Sequence, residues 1–193
     1  MTRYDIIQKF IDLRGYKSFL EIGTYRGDTF SRIRCDNKEC VDPDPEAHAT
    51  YCMTSDEFFY KSFSNYHFKY DIIFIDGLHE HGQVWRDISN SLCSLRDNGV
   101  VVMHDCLPTT EEMQEWHNVS QQGKVWTGDV WKAYLKALHS LTYSVYVIDT
   151  DYGCGVIDKS KRSHTPFRAI DMDLLEWKDF DKSKMNVKDG IIP

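Results

Sequence analysis

The chain has 193 residues, of which 41% are hydrophobic and 27% charged, and its formal net charge is −7. This length suits one domain with a substantial buried core, or one domain with a modest extension. The acidic balance, without a long basic block, argues against nucleic acid as a partner, because such binding depends on clustered lysine and arginine.

The chain carries no sequence signal for membrane insertion or for an oxidising compartment. No stretch approaches the roughly 20 apolar residues that a membrane-spanning helix needs. The N-terminal segment MTRYDIIQKFIDLRG lacks the long apolar centre of a signal peptide. The six cysteines are scattered and form no CxxC pair, which predicts reduced thiols. We therefore expect a cytoplasmic protein.

Helices and strands are predicted to alternate through the first part of the chain. Apolar residues at helical spacing predict a helix that has Thr2 as its N-cap and ends at Gly15. The segment SFLEIG predicts a buried strand, and the helix after it begins near Asp28 and continues through TFSRIR. ECVDPDP predicts a second short strand, and SDEFFYKSF predicts a helix capped by Ser55 or Asp56.

The remaining elements continue this alternation. YDIIFIDG predicts a strand that is covered on both faces, because four consecutive apolar residues follow Asp71. The next helix and its end are marked by Val84, Ile88, Leu92, Leu95 and Asn98-Gly99. VVVM predicts another strand, a polar stretch at 107–127 precedes a helix at 128–139, and YSVYVID with GCGVIDKS predicts a closing hairpin.

Two of the predicted strands end in acid and imidazole. FIDGLHEHG places Asp76 directly after an apolar run, with His79 and His81 close behind, and VVVMHDC ends another run in His104 and Asp105. Strands that alternate with helices predict a mostly parallel α/β sheet. Because ligands of such sheets bind beyond the carboxyl ends of the strands, we expect a functional site where these residues meet.

The segment EIGTYRGDTF follows the first predicted strand. Gly23 and Gly27 would allow a tight turn and a close approach of the backbone to a ligand. A plain strand-to-helix turn explains the glycines equally well. Glu21 favours the ligand interpretation, because a carboxylate is costly to bury without a partner and a cationic ligand would supply one.

The segment VDPDP places Asp42 at the end of the second predicted strand. An acid at this position commonly holds the hydroxyl pair of a ribose in nucleotide-binding α/β folds. Asp-Pro sequences also form ordinary turns, and the segment alone does not separate the two interpretations.

In combination, these motifs resemble the class I S-adenosylmethionine (SAM)-dependent methyltransferases. EIGTYRGDTF is similar to their first motif, VDPDP to the acidic end of strand two, MTSDEFF to the adenine-side segment, and YDIIFIDG and LRDNGVVVMHD to the motifs of strands four and five. The resemblance implies a Rossmann-like three-layer α/β/α sandwich with a mostly parallel, seven-stranded sheet and a C-terminal antiparallel hairpin. It covers about residues 15–159, so we expect a methyltransferase domain at 1–160 and an extension at 161–193 that packs on the same domain.

The resemblance also implies a binding site for SAM and its product, S-adenosylhomocysteine (SAH). Glu21, Gly23 and Gly27 would surround the methionine part, Asp42 would hold the ribose, and Ser55 and Asp56 would lie near the adenine. The complete set of implied cofactor residues is Glu21, Gly23, Thr24, Tyr25, Gly27, Asp42, Ser55, Asp56 and Asp76.

The segments DGLH and HD resemble a metal-assisted branch of this family that methylates sugar hydroxyls, including those of macrolides. By that resemblance Asp76 and Asp105 would hold a divalent cation, Mg²⁺ or Mn²⁺, with His104 as a third ligand and His79 as the catalytic base. Acids that end adjacent strands can share one ion. Relatives often have an acid where this chain has His104, and imidazole favours a softer ion such as manganese.

The expected acceptor is a small molecule or glycan, such as a deoxyhexose, and the chain could belong to a larger protein with a glycosyltransferase. Trp116 and Trp126 could present aromatic faces to a sugar or serve only in packing, whereas Trp131 fits a core position. Other interpretations remain open at this stage: a catechol-type O-methyltransferase, a non-catalytic cofactor-binding domain, and a base at His81. A zinc site would use His79, His81, His104 and Cys106. Asp76 could also simply cap a turn, with His79 as a surface residue.

Overall fold

The computed structural model of the protein describes residues 1–63, 69–115 and 125–190. Its helices are α1 (Arg3–Arg14), α2 (Asp28–Arg32), α3 (Ser55–Phe63), α4 (His81–Ser94) and α5 (Val130–Ser140). Its strands are β1 (Ser18–Ile22), β2 (Asn37–Asp42), β3 (Tyr51–Cys52), β4 (Tyr70–Ile75), β5 (Leu95–Met103), β6 (Tyr143–Ile148), β7 (Cys154–Arg162) and β8 (Val187–Lys188).

The strands form one mixed sheet in the order β3-β2-β1-β4-β5-β7-β6-β8. The first five strands in this order, β3, β2, β1, β4 and β5, pair in parallel. Strand β7 runs antiparallel to both β5 and β6. The predicted α/β fold with a closing hairpin is therefore confirmed. The described sheet has eight strands rather than seven, because β8 from the C-terminal region pairs in parallel with β6.

Helices cover both faces of the sheet, as the continuous apolar run of β4 requires. Ile73 and Ile75 pack into a core cluster that includes residues of α4 and α5, whereas Ile72 and Phe74 pack into a second cluster that includes residues of α1. Alternate side chains of a strand point to opposite faces, so a strand that is buried on both sides is apolar at every position. The two clusters give the three-layer arrangement.

Helix α1 begins and ends at the predicted residues. Its N-cap is Thr2, and Gly15 at its C-cap has φ 62°, the left-handed conformation that glycine adopts at little cost. Helix α3 begins differently from the prediction. Thr54, and not Ser55 or Asp56, caps it, since the Thr54 hydroxyl accepts from the backbone N–H of Glu57 at 3.2 Å.

The predicted end of α4 was wrong. The helix ends at Ser94, and Leu95 already begins β5, so Asn98 and Gly99 lie within the strand. A Cβ atom at Gly99 would lie 2.7 Å from the backbone oxygen of Asp71, which shows that glycine is needed there for close strand contact. An Asn-Gly pair after an apolar helical pattern thus marked an irregular strand and not a helix end.

The structure tests one of two predictions for tryptophan residues. Trp131 on α5 is fully buried, so its predicted core position is confirmed. Trp116 lies outside the described residues. None of the helices in the described ranges combines the length and apolarity that crossing a membrane requires.

Candidate active site at the carboxyl edge of the sheet

The acid and imidazole residues that follow β4 and β5 lie together. The two strands are parallel neighbours, with Ile75 opposite Met103. Asp76 therefore emerges beside His104 and Asp105 at the same edge of the sheet. Asp105 has φ 60°, a left-handed conformation that is uncommon for a residue with a side chain and that is often found at functional sites.

His79 and His104 each face both carboxylates. Nε2 of His79 lies 3.5 Å from Oδ1 of Asp76, and Nδ1 of His79 lies 3.3 Å from Oδ2 of Asp105. Nδ1 of His104 lies 3.3 Å from Oδ1 of Asp76 and 3.2 Å from Oδ1 of Asp105. We call these four residues the acid–imidazole cluster.

Arg3 and Asp151 extend this cluster, and the sequence analysis did not identify them. Nη1 of Arg3 lies 3.1 Å from Oδ2 of Asp151, and Nε of Arg3 lies 3.6 Å from Oδ2 of Asp76. Oδ1 of Asp151 lies 3.4 Å from Nε2 of His104. The sequence contained one indication of Asp151. The second strand of the predicted hairpin runs antiparallel to β5, so the hairpin turn DTDYG, which contains Asp151, must lie at the carboxyl end of β5.

The mutual contacts in the cluster set its charge state. Burial alone would raise the pKa of Asp76, but hydrogen bonds from His104 and His79 outweigh it and hold that pKa well below its usual range. Burial would lower the pKa of His104, whereas hydrogen bonds to Asp105, Asp151 and Asp76 raise it well above its usual value. Without a bound cation, these carboxylates therefore favour the protonated form of His104.

The cluster contains donor atoms that fit a divalent cation. One ligand atom from each of Asp76, His79 and Asp105 can be chosen so that all lie within 4.8 Å of one another. Within the described chain, Nδ1 of His79 is buried and makes no aligned hydrogen bond. Two carboxylates and an imidazole suit Mn²⁺ or Mg²⁺, with the nitrogen favouring the former. The nitrogen in this set comes from His79, whereas the predicted set used His104.

A cavity of about 460 Å³ adjoins the cluster at Asp76. It is lined by Ile22, Gly23, Tyr25, Val41, Asp42, Pro43, Thr54, Ser55, Asp56, Asp76, Gly77, Leu78, Gln83 and Asp87. The structure therefore brings six predicted cofactor residues to one cavity: Gly23, Tyr25, Asp42, Ser55, Asp56 and Asp76. The other three, Glu21, Thr24 and Gly27, are not among its lining residues.

Asp42 organises the turn after β1. Its Oδ2 accepts from the backbone N–H groups of Thr24 at 2.8 Å and Tyr25 at 2.9 Å. Its Oδ1 accepts from the backbone N–H of Asp44 at 2.9 Å. A carboxylate oxygen has two acceptor sites, so both sites of Oδ2 are occupied, whereas Oδ1 can accept one further bond from a ligand in the cavity. Thr24 thus acts on the cavity through its backbone.

Gly23 is required by the contact between two turns. Its φ is 84°, and a Cβ atom there would lie 2.3 Å from the backbone oxygen of Asp76 and 2.3 Å from Cα of Gly77. No side chain could be accommodated without separating the turn after β1 from the turn after β4. The predicted need for glycine at this position therefore has a steric cause.

Gln83 and Asp87 line the part of the cavity near Ser55, and the sequence analysis did not identify them. Nε2 of Gln83 donates to Oδ1 of Asp87 at 3.1 Å and to Oγ of Ser55 at 3.2 Å. Asp87 is buried, and this burial raises its pKa to about 6. Both residues lie on α4 four positions apart, a spacing that places them on one helical face.

Glu21 is 2% exposed, and Oε2 has no hydrogen-bond partner in the described chain. Burial, together with the charge of Asp76, raises the pKa of Glu21 to about 8. The side chain is thus largely protonated at neutral pH. This is the uncompensated carboxyl that the sequence predicted, and a positively charged ligand group would stabilise its ionised form.

We expect Glu21→Gln to stabilise the protein increasingly as the pH rises. The pKa of Glu21 is near 4.5 in the unfolded chain and about 8 in the folded protein. The free energy of unfolding of the wild type therefore falls as the pH rises from about 4.5 to about 8, because the unfolded chain ionises first. One pKa unit corresponds to about 1.4 kcal/mol, so the variant should gain roughly 2–4 kcal/mol over the wild type at pH 9 and nothing at pH 4. Chemical denaturation at both values measures this, with Glu46→Gln at an exposed site as control. An equal gap at both pH values would contradict the assignment.

His81 faces away from the acid–imidazole cluster. Its Nδ1 lies 2.6 Å from Oδ2 of Asp129, and its Nε2 lies 2.9 Å from Oδ1 of Asp173. Both ring nitrogens are therefore occupied by contacts between α4 and other elements. This arrangement does not support His81 as the base, and it does not bring His81 together with the other residues of the zinc alternative.

Trp126 stacks on His79, with ring centroids 4.9 Å apart and an angle of 19° between the planes. One face of the indole is thus covered by the imidazole. The sequence analysis predicted this residue as a sugar-facing aromatic, and the stacking gives it a second role, which no local spacing could have indicated.

The similarity of this chain to known proteins agrees with the geometry. Residues 20–106 match the family model described as a methyltransferase domain. A search of curated proteins found no match to this sequence. Among solved structures, an O-methyltransferase from Bacillus cereus in complex with SAH is 13% identical, with a TM-score of 0.59, and the match covers 81% of this chain and 80% of that one.

Two further solved structures have the same fold. TomG, an O-methyltransferase from Streptomyces achromogenes involved in tomaymycin synthesis, was solved with SAM; it is 14% identical, with a TM-score of 0.58, and the match covers 81% of this chain and 78% of that one. MycE, a methyltransferase of mycinamycin biosynthesis, was solved with Mg, SAH and mycinamycin VI; it is 15% identical, with a TM-score of 0.51, and the match covers 83% of this chain and 50% of that one. The match at residues 20–106 is thus to a methyltransferase domain, and the chain has the Rossmann-like α/β fold of these class I methyltransferase structures.

Proposed function

We propose that the protein is a SAM-dependent O-methyltransferase that methylates a sugar hydroxyl with the help of a divalent cation. The observation that carries the proposal is the position of Asp76, which both lines the 460 Å³ cavity and belongs to the acid–imidazole cluster. A ligand in the cavity and an acceptor at the cluster would thus meet at one carboxylate.

The cavity offers complementary groups along the length of SAM. Asp42 would accept from the ribose hydroxyls, and the polar group around Ser55, Gln83 and Asp87 would face the adenine. Glu21 does not line the cavity, but the ammonium group of the methionine part would stabilise its ionised form if it came close to this buried carboxyl. When bound, SAM would supply a methyl group that is already electrophilic. The cofactor would then leave as SAH.

The protein's part in methyl transfer is to orient the acceptor, exclude water and take up one proton. The acceptor oxygen would form the new O–C bond, and the sulfur of SAM would keep the electron pair of the C–S bond that breaks. We assign the hydroxyl proton to a ring nitrogen of His79. Asp76 and Asp105 would hold the cation, which would lower the pKa of the acceptor hydroxyl when bound.

The cation is supported by the likeness to MycE, which was solved with Mg, SAH and mycinamycin VI. The sugar assignment rests on the resemblance of the DGLH and HD segments. A protein from Staphylococcus aureus that was assigned as a caffeoyl-CoA O-methyltransferase has the same fold, with a TM-score of 0.57. This likeness favours the catechol-type alternative. Incubation with SAM, Mn²⁺ and each of methyl rhamnoside, methyl fucoside, methyl glucoside and catechol separates the two by a mass shift of the acceptor. Methylation of catechol alone would replace the sugar proposal.

The remaining interpretations of the sequence stay predictions. They are a domain at 1–160 with an extension at 161–193, a cytoplasmic location, and membership of a larger protein with a glycosyltransferase. A non-catalytic cofactor-binding domain would bind SAM and methylate none of these acceptors. The complete acid–imidazole cluster favours the enzyme.

We expect SAM or SAH to bind with micromolar affinity, roughly −8 kcal/mol, and Asp42→Ala to weaken this binding by about 1–3 kcal/mol through lost charged hydrogen bonds. Isothermal titration calorimetry measures both values. Asp36→Ala is the control, since Asp36 is an exposed acid that precedes the other end of β2. An unchanged affinity in Asp42→Ala, or binding of a nicotinamide dinucleotide instead of SAM, would contradict the cofactor assignment.

A further inference from the structure

Residues 126–129, which we call the positioning segment, contact the turn that carries His79. The segment precedes α5, and its Thr127 is anchored at the far side, where its backbone N–H donates to the backbone oxygen of Met113 at 2.8 Å. Thr127 itself is fully buried. The segment is thus fixed to the body of the protein and can restrain what it contacts.

Asp129 joins the segment to the turn through both its backbone and its side chain. The N–H of Asp129 donates to the backbone oxygen of His79 at 3.1 Å. Oδ1 of Asp129 accepts from the backbone N–H of His81 at 2.7 Å, and its Oδ2 lies 2.6 Å from the imidazole of His81. Asp129 therefore holds the turn on both sides of Glu80.

Gly128 permits this close approach. Its φ is 58°, and a Cβ atom there would lie 1.9 Å from the backbone oxygen of His79 and 2.5 Å from Cβ of His79. Any side chain at position 128 would force the segment and the turn apart. The fit of the two backbones is therefore specific to glycine.

Trp126 contacts the side chain of His79 directly. Its indole lies nearly parallel to the imidazole of His79 at 4.9 Å between centroids. Stacking fixes the plane of the imidazole but permits a half-turn about the Cβ–Cγ bond, which leaves the plane unchanged. The contacts to Asp76 and Asp105 then select the flip that directs both nitrogens at the carboxylates.

We propose that Trp126, Gly128 and Asp129 are positioning residues that hold the His79 imidazole in the plane where its nitrogens face Asp76 and Asp105. The inference rests on the proposed function for its consequence in catalysis, but the geometry of His79 can be tested without turnover. Small misplacements of a reacting group reduce rates strongly, so the segment would be a determinant of the chemical step.

The first test is nuclear magnetic resonance of histidine-labelled protein without any ligand. The imidazole C–H resonances of His79, identified by their loss in His79→Ala, should be shifted upfield by the ring current of the indole. Trp126→Ala should move them toward the unstacked position, and Trp126→Phe should retain much of the shift. Trp177→Ala, which removes an indole stacked on Phe180, is the matched control and should leave them in place. Identical His79 resonances in the wild type and Trp126→Ala would overturn the proposal.

The second test uses the acceptor that is methylated in the glycoside and catechol panel. Trp126→Ala should lower kcat by about 10- to 100-fold while the Kd for SAM stays unchanged, and Trp126→Phe should restore most of kcat. Equal loss of kcat in the Phe and Ala variants would contradict a positioning role based on stacking. If no acceptor is methylated, the proposed function fails, whereas the resonance test still decides whether the segment orients His79.

Discussion

Replacing His79 by alanine is expected to lower methyl transfer by about 10²–10⁴-fold, the range that positioned acid–base groups contribute. The reason is that the imidazole lies in the acid–imidazole cluster, 3.5 Å from Asp76 and 3.3 Å from Asp105, at the edge where the cavity ends. SAM affinity and the unfolding midpoint should be little affected, because His79 is not among the residues that line the cavity. The rate of SAH formation with a methylated acceptor measures the effect.

Two other histidines serve as comparisons for this prediction. His164→Ala removes an exposed imidazole and should change nothing. His81→Ala should lower thermal stability more than the chemical rate, because its ring joins Asp129 to Asp173. If His81→Ala abolished turnover while His79→Ala retained it, the base would be His81. If neither variant lost activity, proton removal would fall to Asp105.

The His79 variant also separates a base from a metal ligand. His79 belongs to the group of donor atoms that fits a cation, so its loss could act through the metal. We expect His79→Ala to bind Mn²⁺ at least as tightly as the wild type, as measured by electron paramagnetic resonance. A strong loss of Mn²⁺ binding would instead make His79 a ligand.

The core of the site could be predicted because it depends on strand ends. Asp76 and Asp105 follow two apolar runs, and parallel neighbouring strands must bring such residues to one edge. The same reasoning located Gly23 and Asp42, since a turn after β1 and the end of β2 lie at that edge too. The physical rule is local in sequence, so a single chain is sufficient to apply it.

Other residues of the site could not be predicted, because their place depends on packing between distant elements. Arg3 reaches Asp76 only because α1 covers one face of the sheet with its first turn at the carboxyl edge. Trp126 meets His79 because Gly128 lets two backbones touch, and no spacing between these residues indicates such a contact. The helix end near Gly99 was mistaken for a similar reason: the contact with Asp71 that requires glycine is made across the sheet.

Chelation of divalent cations is expected to abolish methyl transfer and to leave SAM binding largely intact. Asp76 and Asp105 supply the two carboxylates that a hard cation prefers, whereas Asp76 is the only residue of the acid–imidazole cluster among those that line the cavity. Added Mn²⁺ or Mg²⁺ should restore activity, and better restoration by Mn²⁺ would indicate an imidazole among the ligands, because nitrogen favours the softer ion. The experiment compares turnover and SAM calorimetry before and after chelation. Asp105→Asn should reproduce the loss, and Asp173→Asn at an exposed acid should not.

The charges of the cluster explain why the cation and the base should depend on each other. Three carboxylates, Asp76, Asp105 and Asp151, face two resident cations, Arg3 and His104. Although burial lowers the pKa of His79, a hydrogen bond to Asp76 and the charge of Asp105 outweigh it and raise that pKa. Without a metal ion, these contacts favour a proton on His79, and a protonated imidazole cannot accept another. A divalent cation on the carboxylates would replace that proton and leave His79 neutral. Full activity after exhaustive chelation would mean that Arg3 and His104 suffice to balance the acids, and it would remove the metal from the mechanism.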